Sequence, residues 1–209
     1  IDNYLIKNMI YELKKNGFLI VRNRTIISQV KKSKKIFHEK FKTKFVNNFK
    51  INRELIKRFA DHPFISSIFT SQTIMKILKE IGFKIPVKCG TLFTHYTSND
   101  MTGNSYGLPY HQDYPSMASS KYGVVLWLNL VDSNKDTHGI EILPGQHLDG
   151  LLKGKQKKIG YVLEKKYTKL KSIVPSIKAG DLLIMSSFLP HKTFIHPNFR
   201  GWKLSLSQR

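Results

Sequence analysis

At Pro86 the sequence changes period, and that change limits what the chain can fold into more than any other feature. Before it, apolar residues recur at helical spacing. "YLIKNMIYELKKNG" puts Leu5, Met9 and Leu13 on one face, with Gly17 as a stop. "FLIVRN" then reads as a short strand. "TIISQVKKSKKIFHEKF" is a basic amphipathic helix, and "SQTIMKILKEIGF" another that ends at Gly82. After Pro86 come "VKCGTLFTHYT", "YGVVLWLNLVD", "GIEILPGQH", "KSIVPSIKAGDLLIMSS" and "GWKLSLSQR", β-branched and aromatic runs split by turn residues. Helices first, then about eight short strands with no helices between them, predict an α+β chain. Its expected core is an antiparallel double-stranded β-helix of the jelly-roll or cupin kind, with helices from the N-terminal part packed on one side.

No repeat and no Pro/Gly/Ser linker interrupts the sequence, so residues 1–209 are expected to form one domain, with a mostly helical portion over 1–85 and a jelly-roll core over 86–209. The chain starts at Ile1 and stops at Arg209 inside a strand-like run, so both ends are expected to be trimmed. A lone cysteine, Cys89, cannot make an internal disulfide and points to a reducing compartment. No apolar run is long enough to cross a membrane, and the expectation is a cytoplasmic protein.

Charge narrows the partners. The net charge is +21, and it is lopsided: residues 1–90 carry 20 basic and 6 acidic side chains, residues 91–209 carry 15 and 8. Either solvated lysine-rich helix faces or a field that attracts an anionic substrate, membrane surface or nucleic acid accounts for it.

Chemistry first shows in "LPYHQDYPSM". If that segment is extended, His111 and Asp113 point the same way. A salt-bridged core pair or a metal site would each use that arrangement. A second histidine, His191, follows the run "GDLLIMSSFLP", in which Gly180-Asp181 is a turn feeding a strand over 182–187. Two imidazoles and one carboxylate on one face, with open positions opposite, form the ligand set of non-haem Fe(II) oxygenases. His38 and His62 read as surface or packing residues, and His95 as a mid-strand residue facing the barrel interior. His138, Glu141 and His147 form a rival set, but "THGIEILPGQH" reads better as a strand running into a Pro-Gly turn. Gln112 and Tyr114 alternate out of phase with the ligand pair and are expected to pack outside the site.

Together, "PYHQDYPSM", "VVLWLNLVD", "GIEILPGQH" and "GDLLIMSSFLPHKT" resemble the phytanoyl-CoA dioxygenase family of Fe(II)/2-oxoglutarate oxygenases, from about residue 86 to the end. The resemblance implies Fe(II), 2-oxoglutarate and O2 as cofactor and co-substrates, with His111, Asp113 and His191 as iron ligands. It also implies a basic residue after the distal histidine that pairs with the far carboxylate of 2-oxoglutarate. Relatives often end in Arg-x-Ser-x-x-x-Arg, whereas this chain has Lys203, Ser205 and Arg209 at those positions. Lys203 is the expected carboxylate partner and Arg200 the alternative; alternation favours Lys203, which shares a face with Ser205, Ser207 and Arg209. Thr193 matches a hydroxyl near the same carboxylate, and Trp127 either walls the pocket or is simply core. A retained aspartate argues for hydroxylation or a related oxidation and against halogenation, because related halogenases lack that carboxylate.

The reading is therefore an oxygenase that oxidises a C–H bond of a small, anionic molecule. Two alternatives come from other classes. A nucleic-acid oxidative demethylase would use Lys203 and Arg209, six residues apart, and read phosphates with the +21 charge. A non-catalytic jelly-roll binding protein would explain a lysine at the arginine position.

Overall fold

The computed structural model describes residues 3–99, 107–117, 120–158 and 160–209. Helix α1 (Asn3–Asn16) ends at Gly17, and strand β1 (Phe18–Arg22) follows. Asn23 then caps α2 (Arg24–Lys40): its side-chain oxygen accepts from the backbone N–H groups of Thr25 and Ile26 at 2.8 and 3.4 Å. Asn48 caps α3 (Phe49–Asp61) in the same way. This helix has no counterpart among the individually expected elements, although Ile56, Phe59 and Ala60 give it a buried face. The short α4 (Pro63–Ser67) and α5 (Gln72–Glu80) complete the helical part. His62 caps α4, and His38 is exposed and edge-on to Phe37 and Trp202, so both take the surface or packing roles expected of them.

Among the described residues, eight strands follow Pro86: β2 (Phe93–Ser98), β3 (Val124–Asn129), β4 (Gly139–Ile142), β5 (Gly154–Lys157), β6 (Gly160–Leu163), β7 (Asp181–Ser186), β8 (His191–Phe194) and β9 (Trp202–Gln208). The run between β2 and β3 departs from the expectation of strands alone, because a one-turn helix, α6 (Tyr114–Met117), interrupts it. Pro115 explains the break: its fixed φ suits a first helical turn, and it cannot donate to a ladder. The hairpin β5–β6 lies in a lysine-rich segment whose exposed pattern carries no strand period.

The major sheet runs β1-β7-β3-β9-β2, antiparallel throughout. A second layer contains β4-β8 and β5-β6, and His111 stitches the two ribbons together by bridging Val162 on one side and His191 on the other. The two layers form the double-stranded β-helix expected from the sequence, with the helices against the outer face of the major sheet. Gly180, at φ +91°, makes the turn into β7, where a Cβ would lie 2.8 Å from Ile27.

Period two divides the major sheet between two cores. Leu126, Leu128, Leu182, Ile184, Leu204 and Leu206 join the helices in one cluster, while Val125, Trp127, Leu183 and Met185 face inward to another. In β9 both alternating sets are buried, so Lys203, Ser205 and Ser207 are polar residues facing the interior, not solvent. At the centre of the outer core Phe37 is fully buried, its ring 5.1 Å from Phe59, 5.7 Å from Phe45 and 5.8 Å from Trp202. Phe37→Ala is expected to cost about 3–5 kcal/mol, read as a fall in the urea midpoint at unchanged m-value. A change below about 1 kcal/mol would mean that the helices are not anchored there.

Candidate metal centre

The pair His111 and His191 is built by the backbone. Each donates its N–H to the other's carbonyl at 3.0 Å. Antiparallel residues that exchange both bonds present their side chains to the same side, and the two imidazole centroids lie 4.2 Å apart. Each ring is also oriented from behind. His111 Nδ1 donates to the carbonyl of Pro109 at 2.8 Å, and His191 Nδ1 to that of Leu189 at 2.9 Å. A carbonyl can only accept, so Nδ1 carries the proton and Nε2 keeps its lone pair for a ligand.

Asp113 arrives by a different route from the one expected. The extended conformation stops after His111, and Asp113 opens α6, its carbonyl accepting from Ser116 and Met117 at 3.1 and 3.2 Å. Gln112 fixes the turn by donating to the carbonyls of Gly150 and Phe188 and accepting from Leu152 N, the packing role outside the site expected of it. One donor atom each from His111, Asp113 and His191 converge to within 4.8 Å of one another, the one such group of His, Cys, Asp and Glu among the described residues. His191 Nε2 stands 3.8 Å from Asp113 Oδ2.

The two carboxylate oxygens differ. Oδ1 accepts from Arg209 Nη2 at 2.7 Å, whereas Oδ2 is buried and has no hydrogen-bond partner. Burial opposes the charge of Asp113, but His191, Arg209 and His111 outweigh it and hold the carboxyl below its ordinary value. Burial also pushes His191 down to about 4, so at neutral pH that ring is uncharged and Arg209 is the cation facing Asp113. An uncharged imidazole can bind a metal without first losing a proton.

A small cleft opens over these groups, lined by His95, His111, Trp127, His191, Thr193 and Arg209 among others. His95 faces the interior as expected, stacked on Trp127 at 4.3 Å and bonded to Ser207 Oγ at 2.8 Å. Burial, then Arg209 and Lys203, drive its pKa well below the usual range, so it is a neutral hydrogen-bonding group. Trp127 is both core and wall: it lines the cleft while its indole N–H donates to Asn129 Oδ1 at 2.9 Å. Lys203 is 2% exposed, with Nζ 4.5 Å from the centre of the Trp127 ring. No described residue forms an ion pair with it, and burial pushes its pKa down to about 7. Arg200 is exposed and does not line the cleft. Ser205 is buried, with an Oγ that has no partner. Thr193 Oγ1 accepts from Leu108 N at 3.1 Å, which leaves its own O–H free to donate.

The rival set does not converge. Glu141 accepts from Tyr110 at 2.6 Å and pairs with Lys192 at 3.0 Å, His147 Nε2 donates to the carbonyl of Lys14, and His138 Nδ1 accepts from His196 N. Arg209 is the residue missing from the sequence-based site. Its place on the face of Lys203 was the available signal, but its partner Asp113 lies 96 residues away. Both members of the basic pair six apart turn inward, to Trp127 and Asp113.

The sequence matches the family described as phytanoyl-CoA dioxygenase (PhyH) over residues 13–197. No curated protein sequence matches it. Among solved structures, the fold is similar to the epimerase SnoN in complex with Fe3+, alpha-ketoglutarate and nogalamycin RO (TM-score 0.65, 14% identity, 99% of this chain and 83% of that one). It is also similar to the non-heme monooxygenase ThoJ (TM-score 0.71, 11% identity, 96% of this chain and 75% of that one). EctD from S. alaskensis, with 2-oxoglutarate and 5-hydroxyectoine, gives a TM-score of 0.65 at 9% identity over 96% of this chain and 74% of that one.

Proposed function

The chain belongs to the phytanoyl-CoA dioxygenase family, and from that premise we propose that it is an Fe(II)- and 2-oxoglutarate-dependent oxygenase whose iron is held by His111, Asp113 and His191. The observation that carries this reading is Asp113 Oδ2, a buried anionic oxygen with no donor, facing two imidazoles whose other nitrogens are already committed to backbone carbonyls. Such an oxygen is costly to bury unless a cation completes it. Two neutral nitrogens and one carboxylate suit ferrous iron and leave part of its coordination sphere open. Held by these three residues, iron with 2-oxoglutarate and O2 would supply the oxidation of an unactivated C–H bond, which no side chain in the cleft can perform.

The chain's own groups hold and orient. Arg209 occupies Oδ1, so Asp113 offers its other oxygen alone and stays ionised. Lys203 offers a cation to the far carboxylate of 2-oxoglutarate, and Ser205 and Thr193 bring hydroxyls that have capacity to spare. Trp127 and His95 keep water from one side of the cleft. The basic balance of the chain favours a small, anionic substrate. Ferrous iron and the free thiol of Cys89 both suit a reducing cytoplasm.

Anaerobic titration with Fe(II) and then 2-oxoglutarate tests the proposal. A visible charge-transfer band is expected only after both additions, together with succinate formation once air is admitted. Iron binding without the band would remove 2-oxoglutarate from the reading and favour a non-catalytic metal-binding barrel.

A further inference from the structure

The outer face of the major sheet bounds a second, much larger cavity of about 1140 Å3. Its walls are Leu13 of α1, Phe69, Leu78 and Ile81 around α5, and Val124 and Leu126 from the face of β3 that points away from the iron cleft. The two spaces therefore lie on opposite sides of one sheet and share Arg209 as their common lining residue. The volume is that of a site for a sizeable organic ligand, whereas the iron cleft is narrow.

At the mouth the cavity carries what a folded surface ordinarily hides. Ile85 is 83% exposed, Val87 80%, Tyr122 71% and Leu148 70%, and all four line it. Grouped exposure of large apolar side chains marks a binding surface. The charge around that mouth has one sign. Lys14, Lys84, Lys88 and Lys121 are exposed lining residues, none is in an ion pair with a described residue, and no Asp or Glu among the described residues lines the cavity. An apolar interior behind an unopposed cationic rim matches a molecule with a long apolar body and an anionic end.

We propose that this cavity binds a free single-chain anionic amphiphile of the fatty-carboxylate class, its tail between α5 and the sheet and its carboxylate on the lysine rim. Among the described residues the site meets the iron cleft at Arg209, and it needs no iron to bind its ligand.

The test uses a dansylated undecanoate and the full chain without added iron. Saturable one-to-one fluorescence enhancement is expected, reversed by dodecanoate. Dodecanol and dodecyltrimethylammonium should displace the probe at least about tenfold less well, because neither satisfies the lysines. The double variant Lys84→Glu/Lys88→Glu, confined to exposed side chains, should weaken the probe about tenfold. Asp113→Ala, which frees the shared Arg209, should not weaken it. Absent saturation, equal displacement by the cationic amphiphile, uptake only onto anionic vesicles, or binding lost in Asp113→Ala would each overturn the proposal. The last outcome would move the probe to the iron cleft; it would leave the oxygenase reading standing.

Discussion

Asp113→Ala is expected to lower Fe(II) affinity by about a hundredfold or more and to reduce 2-oxoglutarate turnover to background. The reason is electrostatic as well as geometric. Asp113 supplies the one carboxylate among the three converging donors, and it faces the guanidinium of Arg209 at 2.7 Å with the Lys203 ammonium elsewhere in the same interior. Without it, two neutral imidazoles would have to hold a dication beside an uncompensated Arg209, in a site where water screens little. Asp113→Asn keeps the shape and removes only the charge, so it separates the two causes. Isothermal titration with Fe(II), paired with the anaerobic band, measures both variants. Wild-type iron affinity in Asp113→Ala would exclude this aspartate as a ligand.

Lys203→Met is expected to leave iron binding nearly unchanged, weaken 2-oxoglutarate by about a hundredfold, and stabilise the ligand-free protein. Methionine keeps much of the length and removes the charge. The stability gain follows from linkage. Burial lowers the native pKa of Lys203 to about 7, while the unfolded chain holds this proton up to the ordinary lysine value of 10.5. Between those limits the unfolded state binds more protons, so this group's contribution to stability rises with pH across the window; below about pH 7 the full cost of a buried charge is present. Thermal midpoints across that window should rise more steeply in wild type than in Lys203→Met. The same protonation governs the ligand. A carboxylate needs the charged form, so wild-type 2-oxoglutarate affinity should fall as pH rises above about 7, whereas the variant stays weak and flat. Equal affinity in wild type and variant would take Lys203 out of the site.

How far the sequence could be read shows in β9. The alternation of "WKLSLSQ" assigns Leu204 and Leu206 to one face and Lys203, Ser205 and Ser207 to the other, and the structure keeps that division. Alternation alone would turn the polar face toward water. It is buried because β2 and β3 flank β9 on both edges and the second layer closes over it. The hairpin β5–β6 has no such signature in the sequence: most residues of β5 are exposed and β6 is half-buried, and an exposed ribbon needs no hydrophobic period.

Periodicity, turn residues and a few ligand-type side chains belong to the local chain; the first two determined the helix-then-strand order and the double-stranded β-helix, and the last pointed to His111, Asp113 and His191, which the fold brings together. Tertiary structure decided everything that depends on distance across the fold. It put Arg209 on Asp113, left Arg200 exposed while burying Lys203 over Trp127, and opened a lysine-rimmed cavity behind the sheet. Local periodicity fixes which way a side chain points, but what it meets there depends on strands brought together from far along the chain.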